Sequence, residues 1–234
     1  MFYNRTRQHN HPAHAVEAVM IISGGMLIKR LVGALQPQAL LYRGSGGLPA
    51  RVALTFDDGP HPDNTPRILD VLGRYGAQAT FFVLGSEAAR HPELVRRIHQ
   101  AGHQVANHGY EHTSAKERPP SFLASNALRC QSLLEQQLGH ALPREFRPPY
   151  GDITARSYLA VRQLGFRFAF WSVDSRDSFT TECAAVVSTL SNAGLNGGDI
   201  VLMHDDYAHT TEALPAILEH LRQRELATVR TCDF

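Results

Sequence analysis

Two adjacent carboxylates, Asp57 and Asp58, follow a short apolar run and stand directly before two residues that break regular structure, Gly59 and Pro60. A carboxylate can act as a base or bind a metal ion. Neighbouring residues of an extended strand point to opposite faces, but a turn at Gly59-Pro60 can bring both carboxylates into one site at the end of the strand. Asp-Asp-Gly-Pro alone is more typical of a plain turn, so its interpretation depends on the other strand ends.

His108 and His112 lie four residues apart, directly after another apolar run. If this segment makes a helical turn, both imidazoles can meet one metal ion. Asp58 can supply a third ligand and leave an open position for water. This set is typical of zinc, with cobalt, manganese, nickel or iron as alternatives. Without a third ligand, two solvated histidines would be the simpler interpretation.

Three more apolar runs end in ionisable residues, in the segments RPPYG, WSVDSRD and LMHDD. Arg147 runs into two prolines, which present its guanidinium in an extended segment suited to holding a carboxylate ionised. His204 leaves an apolar strand and can act as a general acid near neutral pH. Alone, Arg147 is explained by a surface ion pair and His204 by a hydrogen-bonded core histidine. Together, five strand ends with complementary chemistry favour one site.

The elements that must position these residues alternate regularly from Arg51 onward, with Gly and Pro between them. The predicted strands are Val52–Phe56, Ala79–Leu84, Gln104–Asn107, Glu145–Arg147, Arg167–Val173, Asp199–Met203 and Ala227–Thr231. The predicted helices are Thr65–Tyr75, Pro92–Ala101, Ser121–Leu138, Thr154–Leu164, Glu182–Ala193 and Glu212–Arg224. This rhythm predicts an α/β fold with about seven parallel strands in a distorted or incomplete (β/α) barrel, whose active groups lie at the carboxyl ends of the strands.

The first 50 residues have a different composition from the rest of the 234-residue chain. An apolar stretch over residues 16–35 is interrupted by glycines and charges, so it is too polar to span a membrane. The order of its charged and apolar residues is not that of a secretory signal. We therefore predict an N-terminal extension over residues 1–50, partly disordered with a short apolar helix, and one domain over residues 51–234. Peripheral membrane contact through residues 16–35 and a cytoplasmic or membrane-peripheral location are expected.

Composition excludes several classes of protein. A net charge of +1 leaves no electrostatic footprint for nucleic acid, and 43% hydrophobic with 19% charged residues is typical of a soluble globular domain. Three cysteines at unrelated spacings indicate neither a disulfide framework nor a thiolate zinc site. His61 lies close enough to Asp58 in sequence to contact substrate, whereas six other histidines in loops or helices are expected to be solvated: His91, His99, His103, His140, His209 and His220. The oligomeric state does not follow from the sequence.

In their order and spacing, the five segments resemble the motifs of the polysaccharide deacetylases of the NodB-homology type, carbohydrate esterase family 4. The resemblance extends from about residue 51 to the C-terminus. It implies hydrolysis of the N-acetyl groups of an N-acetylglucosamine-type glycan, such as a chitin oligomer, peptidoglycan or an exopolysaccharide. It further implies that Asp57 is the general base, that His204 is the general acid, and that a divalent metal, zinc first, is held by Asp58, His108 and His112.

The same resemblance implies supporting roles for four more residues. Arg147 would orient the base and keep it ionised, and Asp177 would pair with the acid. The backbone N–H of Tyr150 would help to stabilise the oxyanion. Leu202 would line the acyl pocket.

Two positions depart from the family pattern. Gly109 stands where a Ser or Thr usually follows the first histidine, which removes a hydroxyl that would brace the loop and predicts looser metal binding. Ser178 stands where a Trp usually follows Asp177, so one wall of the acyl pocket loses an aromatic ring. The only tryptophan, Trp171, lies upstream, where a packing role is expected.

Four alternatives remain open on the sequence. His108 to His112 also fits the H-x-x-E-H pattern of certain metallopeptidases, although that pattern needs a regular helix. Two histidines and one carboxylate are also the ligands of non-haem iron oxygenases, which would leave Arg147 and His204 without a role. A deacylase of a lipid-linked or small amino sugar would use the same residues. A catalytically silent carbohydrate-binding protein of the same fold is the fourth.

Overall fold

A computed structural model describes residues 40–44 and 50–234 of the chain. Within these residues, the strands are β1 Leu40–Leu41, β2 Arg51–Asp57, β3 Thr80–Val83, β4 Gln104–Asn107, β5 Glu145–Phe146, β6 Arg167–Ala169, β7 Val173–Asp174, β8 Ile200–His204 and β9 Ala227–Val229. The α-helices are α1 Asn64–Tyr75, α2 Gly85–Arg90, α3 Pro92–Gln100, α4 Pro120–Leu138, α5 Ala155–Arg162, α6 Cys183–Asn192 and α7 Ala208–Gln223. None of these helices is long and apolar enough to cross a membrane. The predicted apolar helix of residues 16–35 lies outside the described residues.

The strands form one parallel sheet in the order β1-β6-β5-β4-β3-β2-β8-β7, and β9 pairs with the first half of β2. This order confirms the predicted distorted (β/α) barrel. The barrel is incomplete because β7 and β1 are the two edges of the strand order. The segment between β6 and β7 passes from one end of the strand order to the other, since Phe170 N–H donates to Leu41 O of β1 at 2.7 Å and Ser172 N–H donates to Ile200 O of β8 at 3.0 Å.

Some predicted elements differ from the observed ones. The predicted strand Arg167–Val173 is wrong as one element, because the chain changes neighbours after Ala169 and divides into β6 and β7. Strand β1 and helix α2 were not predicted. Helix α7 begins at Ala208, four residues before the predicted start, and so contains Pro215 in its interior rather than in its first turn.

Alternation along the strands divides the core into two layers. The outward-facing residues of β2, β3 and β8 pack with the helices in the largest cluster, which includes Leu54, Phe56, Phe81, Val201 and Met203. The inward-facing residues fill the barrel with a smaller cluster, which includes Leu41, Ala53, Phe82, Ala106, Ala169 and Ile200. Because side chains alternate along a strand, the same inward face continues to the carboxyl ends of the strands, which surround the mouth of the barrel. The inner row of β2 therefore runs from Ala53 through Thr55 to Asp57.

Candidate active site

The two adjacent carboxylates enter the mouth from one strand end because the backbone turns between them. Asp57 is the last residue of β2 and continues its inward-facing row. Asp58 has a φ of 74°, in the left-handed region, so its side chain does not point away from that row as an extended strand would require. The predicted turn at Gly59-Pro60 thus brings both carboxylates to the same mouth.

Asp58, His108 and His112 form a compact donor set. Asp58 Oδ1 lies 3.3 Å from His108 Nε2 and 3.4 Å from His112 Nε2. That oxygen is buried and has no hydrogen-bond partner among the described residues, which is costly unless another group satisfies it. One carboxylate oxygen and two imidazole nitrogens within 4.8 Å of one another fit a divalent cation.

The pKa values of Asp58 and His112 are shifted in the direction that suits metal binding, whereas that of His108 is raised, because its burial is outweighed by the charge of Asp57 and the contact with Asp58. Burial, and then the charge of His108, lowers the pKa of His112 to about 4, so its imidazole is neutral at neutral pH. Burial alone would raise the pKa of Asp58, but the contact with His108 and the charges of both histidines hold it well below its ordinary value. His108 Nδ1 donates to the carbonyl oxygen of Arg147 at 2.8 Å. This bond commits Nδ1 to a proton, so Nε2, which faces Asp58, is the atom that would bind a metal.

The segment from His108 to His112 is a loop, so the helical turn that the sequence analysis required is wrong. The loop bends at Gly109, whose φ is +88°, and this brings both imidazoles together without a helix. The metallopeptidase alternative fails for the same reason, because it needs a regular helix. A Cβ at Gly109 would lie 2.7 Å from Asn126 Nδ2, so the loop packs against α4 where a side chain would stand.

Asn126 braces this loop from α4, and the sequence analysis missed it. Its Oδ1 accepts the N–H groups of Tyr110 at 3.0 Å and Glu111 at 2.9 Å, and its Nδ2 donates to Glu111 O at 2.9 Å. On the other side, Asn107 Oδ1 accepts the Gly109 N–H at 2.8 Å. The sequence feature that could have identified Asn126 is a polar residue at a position where the helix is otherwise buried and apolar. These bonds provide a brace where the family pattern has a hydroxyl.

Arg147 holds Asp57 in the barrel interior. Its guanidinium is fully buried, and Nη1 lies 2.7 Å from both Asp57 Oδ1 and Thr55 Oγ1. Nη2 donates to Phe170 O at 2.9 Å, and the guanidinium lies 4.0 Å from the ring centre of Phe82. The charge is therefore paired, hydrogen-bonded and stacked, as a buried arginine requires. Asp57 is left with Oδ2 facing the donor set.

His204 and Asp177 form a second ion pair at the mouth, in which Asp177 is buried and His204 is half-buried. Strand register places His204 beside Asp57. Its Nδ1 lies 2.8 Å from Asp177 Oδ1, while Asp177 Oδ2 accepts from the His204 N–H and from Thr210 Oγ1. Burial alone would lower the pKa of His204, but the hydrogen bond and charge of Asp177 raise it to about 10. His204 is therefore protonated at neutral pH, the state that a general acid needs.

The remaining predicted residues lie around the same mouth. Tyr150 has a φ of 59° in a 3-10 turn at Pro149–Gly151, and its exposed ring meets His112 edge-on with 4.3 Å between ring centres. Leu202 is buried on the inner face of β8, two residues before His204. Ser178 is exposed beside Asp177. The oxyanion role of Tyr150 and the acyl-pocket role of Leu202 stay predictions.

Two further findings concern residues that the sequence analysis did not assign to the site. Asp205 is fully buried, its Oδ2 accepts from Thr65 Oγ1 at 2.5 Å, and a Cβ at Gly59 would overlap it, so it packs behind the carboxylate turn. The expectation that His103 and His209 are solvated is wrong. His103 is buried with Nδ1 accepting the Ala79 N–H, and His209 donates from Nε2 to the backbone oxygen of Asp177.

Comparisons with known proteins point to one family. The profile of the family described as polysaccharide deacetylase matches residues 46–169. A peptidoglycan-N-acetylglucosamine deacetylase of Listeria monocytogenes is 37% identical over 74% of this chain, which spans 36% of that protein's length. A chitooligosaccharide deacetylase of Bradyrhizobium is 40% identical, covering 67% of this chain and 71% of that protein. The structure of a family 4 carbohydrate esterase from Streptomyces lividans superposes with a TM-score of 0.72 at 35% identity, over 78% of this chain and 93% of that one.

Proposed function

The chain belongs to the polysaccharide deacetylase family, and on this premise we propose that it removes N-acetyl groups from a glycan built on N-acetylglucosamine. The relatives' names make peptidoglycan and chitin oligomers the first substrates to test. One observation carries the proposal: a braced carboxylate, a metal-type donor set and a protonated histidine meet at one barrel mouth. These are the three parts that hydrolysis of an unreactive amide needs.

In the proposed reaction, each residue has one task. A divalent cation held by Asp58, His108 and His112 would polarise the acyl oxygen and lower the pKa of water to about 7. Asp57, oriented by Arg147, takes the proton of the attacking water. His204, kept charged by Asp177, gives a proton to the nitrogen of the amine leaving group.

Two further groups complete the proposed site. The Tyr150 N–H would donate to the developing oxyanion, and Leu202 would contact the acetyl methyl group. The acid and the base have opposite partners, a carboxylate beside the histidine and a guanidinium beside the aspartate. This arrangement separates their proton affinities, as acid–base pairs in active sites require.

The test is acetate release from chitin oligomers and an acetylated peptidoglycan fragment. The protein is first chelated, and Zn²⁺ or Co²⁺ is then restored. Asp57→Asn should lose turnover but retain the active-site metal, whereas His108→Ala should lose both. Asp70→Asn, which removes an exposed carboxylate of α1, is the matched control and should behave as the wild type.

The outcomes separate the alternatives. Chelator-sensitive release that is restored by metal supports the deacetylase. Turnover only on a lipid-linked or small acylated amino sugar would replace the polymer with that substrate. Saturable glycan binding without acetate release would indicate a silent binder, and undiminished turnover in Asp57→Asn would remove Asp57 as the base.

A further inference from the structure

Two histidines far from the barrel mouth lie unusually close together. His99 is in the last turn of α3, and His140 follows Gly139, the residue that ends α4. They are 41 residues apart in sequence, yet their Nε2 atoms are 3.2 Å apart. Both side chains are exposed to solvent. Folding of the chain, and not local spacing, brings the two imidazoles together.

The separation of the two nitrogens matches chelation of one cation. Two imidazole nitrogens at ~2.0–2.1 Å from one tetrahedral zinc ion lie about 3.3 Å apart. The ring centres are 4.8 Å apart and the ring planes are inclined by 45°. Rings aligned head-on through a single N–H···N bond would set their centres farther apart than this. The two rings are therefore inclined rather than collinear at this Nε2···Nε2 hydrogen bond, and its length is the spacing that two ligands of one cation would have.

The hydrogen bond of His140 and the pKa of His99 also suit the binding of a cation. His140 Nδ1 lies 3.0 Å from the carbonyl oxygen of Ala141, which can only accept, so Nδ1 carries the proton and the Nε2 lone pair faces His99 Nε2, which donates to it. Burial, and then the positive charge of His140, lowers the pKa of His99 below its ordinary value. The neutral form of His99 is therefore favoured at neutral pH, and neutral imidazole is the form that binds metal.

This pair belongs to the opposite end of the barrel from the active site. His99 lies shortly before the start of β4 and His140 shortly before the start of β5, whereas His108 follows the end of β4. Because the strands are parallel, the starts and ends of β4 and β5 lie at opposite edges of the sheet. A cation here would link α3 to the connection after α4 without touching the catalytic residues.

We propose that His99 and His140 form a second divalent-cation site, with water completing the coordination shell. Imidazole ligands select borderline cations, so the site would take Zn²⁺, Cu²⁺ or Ni²⁺ rather than Mg²⁺ or Ca²⁺. The proposal does not depend on the deacetylase function. It changes how metal content is interpreted, since a zinc-saturated protein would hold one equivalent that has no part in hydrolysis.

The first experiment is a zinc titration of the chelated protein against a competing indicator. His99→Ala and His140→Ala should each lose one bound equivalent relative to the wild type. His91→Ala removes an imidazole at the start of the same helix that faces Glu93 and not a second histidine, and it should lose none. Equal stoichiometry in all three variants would overturn the proposal.

A second measurement locates the ion directly. Crystals soaked in excess zinc chloride should give an anomalous peak between the Nε2 atoms of His99 and His140, in addition to the peak at Asp58. The histidines of the N-terminal segment, His9 and His11 among them, could also bind zinc in solution, and the anomalous map separates them from this pair. Zinc at Asp58 with no peak between His99 and His140 would refute the second site.

Discussion

Asp177→Asn should move the alkaline limb of the pH–rate profile to lower pH. The variant keeps the shape of a side chain that is fully buried and 2.8 Å from His204 Nδ1, but it removes the charge that raises the pKa of His204 to about 10. Loss of an opposite charge at hydrogen-bond distance changes a pKa by about 1–3 units, or about 1.4–4 kcal/mol. The proton donor would then be lost as pH rises through a lower value, so activity should fall earlier on the alkaline side.

The assay is kcat/KM for acetate release across the pH range, with metal present in excess. Asp174→Asn is the matched control, because it removes a carboxylate three residues away that bonds to the Arg176 N–H and not to His204. It should move the limb much less. The free energy of unfolding gives an independent test. In the wild type, the raised pKa of His204 stabilises the fold fully below about pH 6.5, and this contribution disappears as the pH rises toward about 10. An alkaline limb unmoved in a folded Asp177→Asn protein would refute the role of the pair.

Two other substitutions test the braces around the site. Gly109→Ala places a Cβ 2.7 Å from Asn126 Nδ2 at a φ of +88°, and such backbone strain costs about 1–3 kcal/mol. Competition with a zinc indicator should therefore show an affinity for zinc at Asp58, His108 and His112 that is about 5–150-fold weaker. Unchanged zinc affinity would contradict the strained loop. Arg147→Met leaves the Asp57 charge buried without a partner, which costs about 3–5 kcal/mol. Urea denaturation should show this loss, which should be absent in the exposed control Arg90→Met, and a variant as stable as the wild type would mean that Arg147 does not brace Asp57.

The sequence predicts the parallel barrel because each strand is buried between helices and the barrel interior, so each appears as a short apolar run. It does not reveal the division into β6 and β7. Residues 167–173 form one continuous β-prone run, and only tertiary pairing shows that Phe170 bonds toward Leu41 while Ser172 bonds toward Ile200. Strand β1 has two residues and gives no periodicity to detect. The local pattern of apolar residues identifies which segments are buried, but it does not show which strand each segment pairs with.

For the site, the sequence identifies the donor types but not the backbone that joins them. A spacing of four residues fits both a helical turn and a loop, and Gly109 with its positive φ decides for the loop. The loss of a hydroxyl at this position predicted looser metal binding, yet three hydrogen bonds from Asn126 brace the same loop. That brace comes from a helix that begins eight residues after His112, so no pattern within the motif indicates it.

Arg147 shows how a short motif can serve two parts of the site at once. Its side chain bonds to Asp57, while its carbonyl oxygen accepts from His108 Nδ1 and so aims Nε2 at the metal position. The two functions need a backbone that is extended here, and a residue that precedes proline is disfavoured from the helical region. Pro148 follows directly and is itself extended, with a ψ of 139°. The prolines after Arg147 therefore do more than end a strand: they hold the orientation in which one residue positions both Asp57, the proposed base, and His108, a proposed metal ligand.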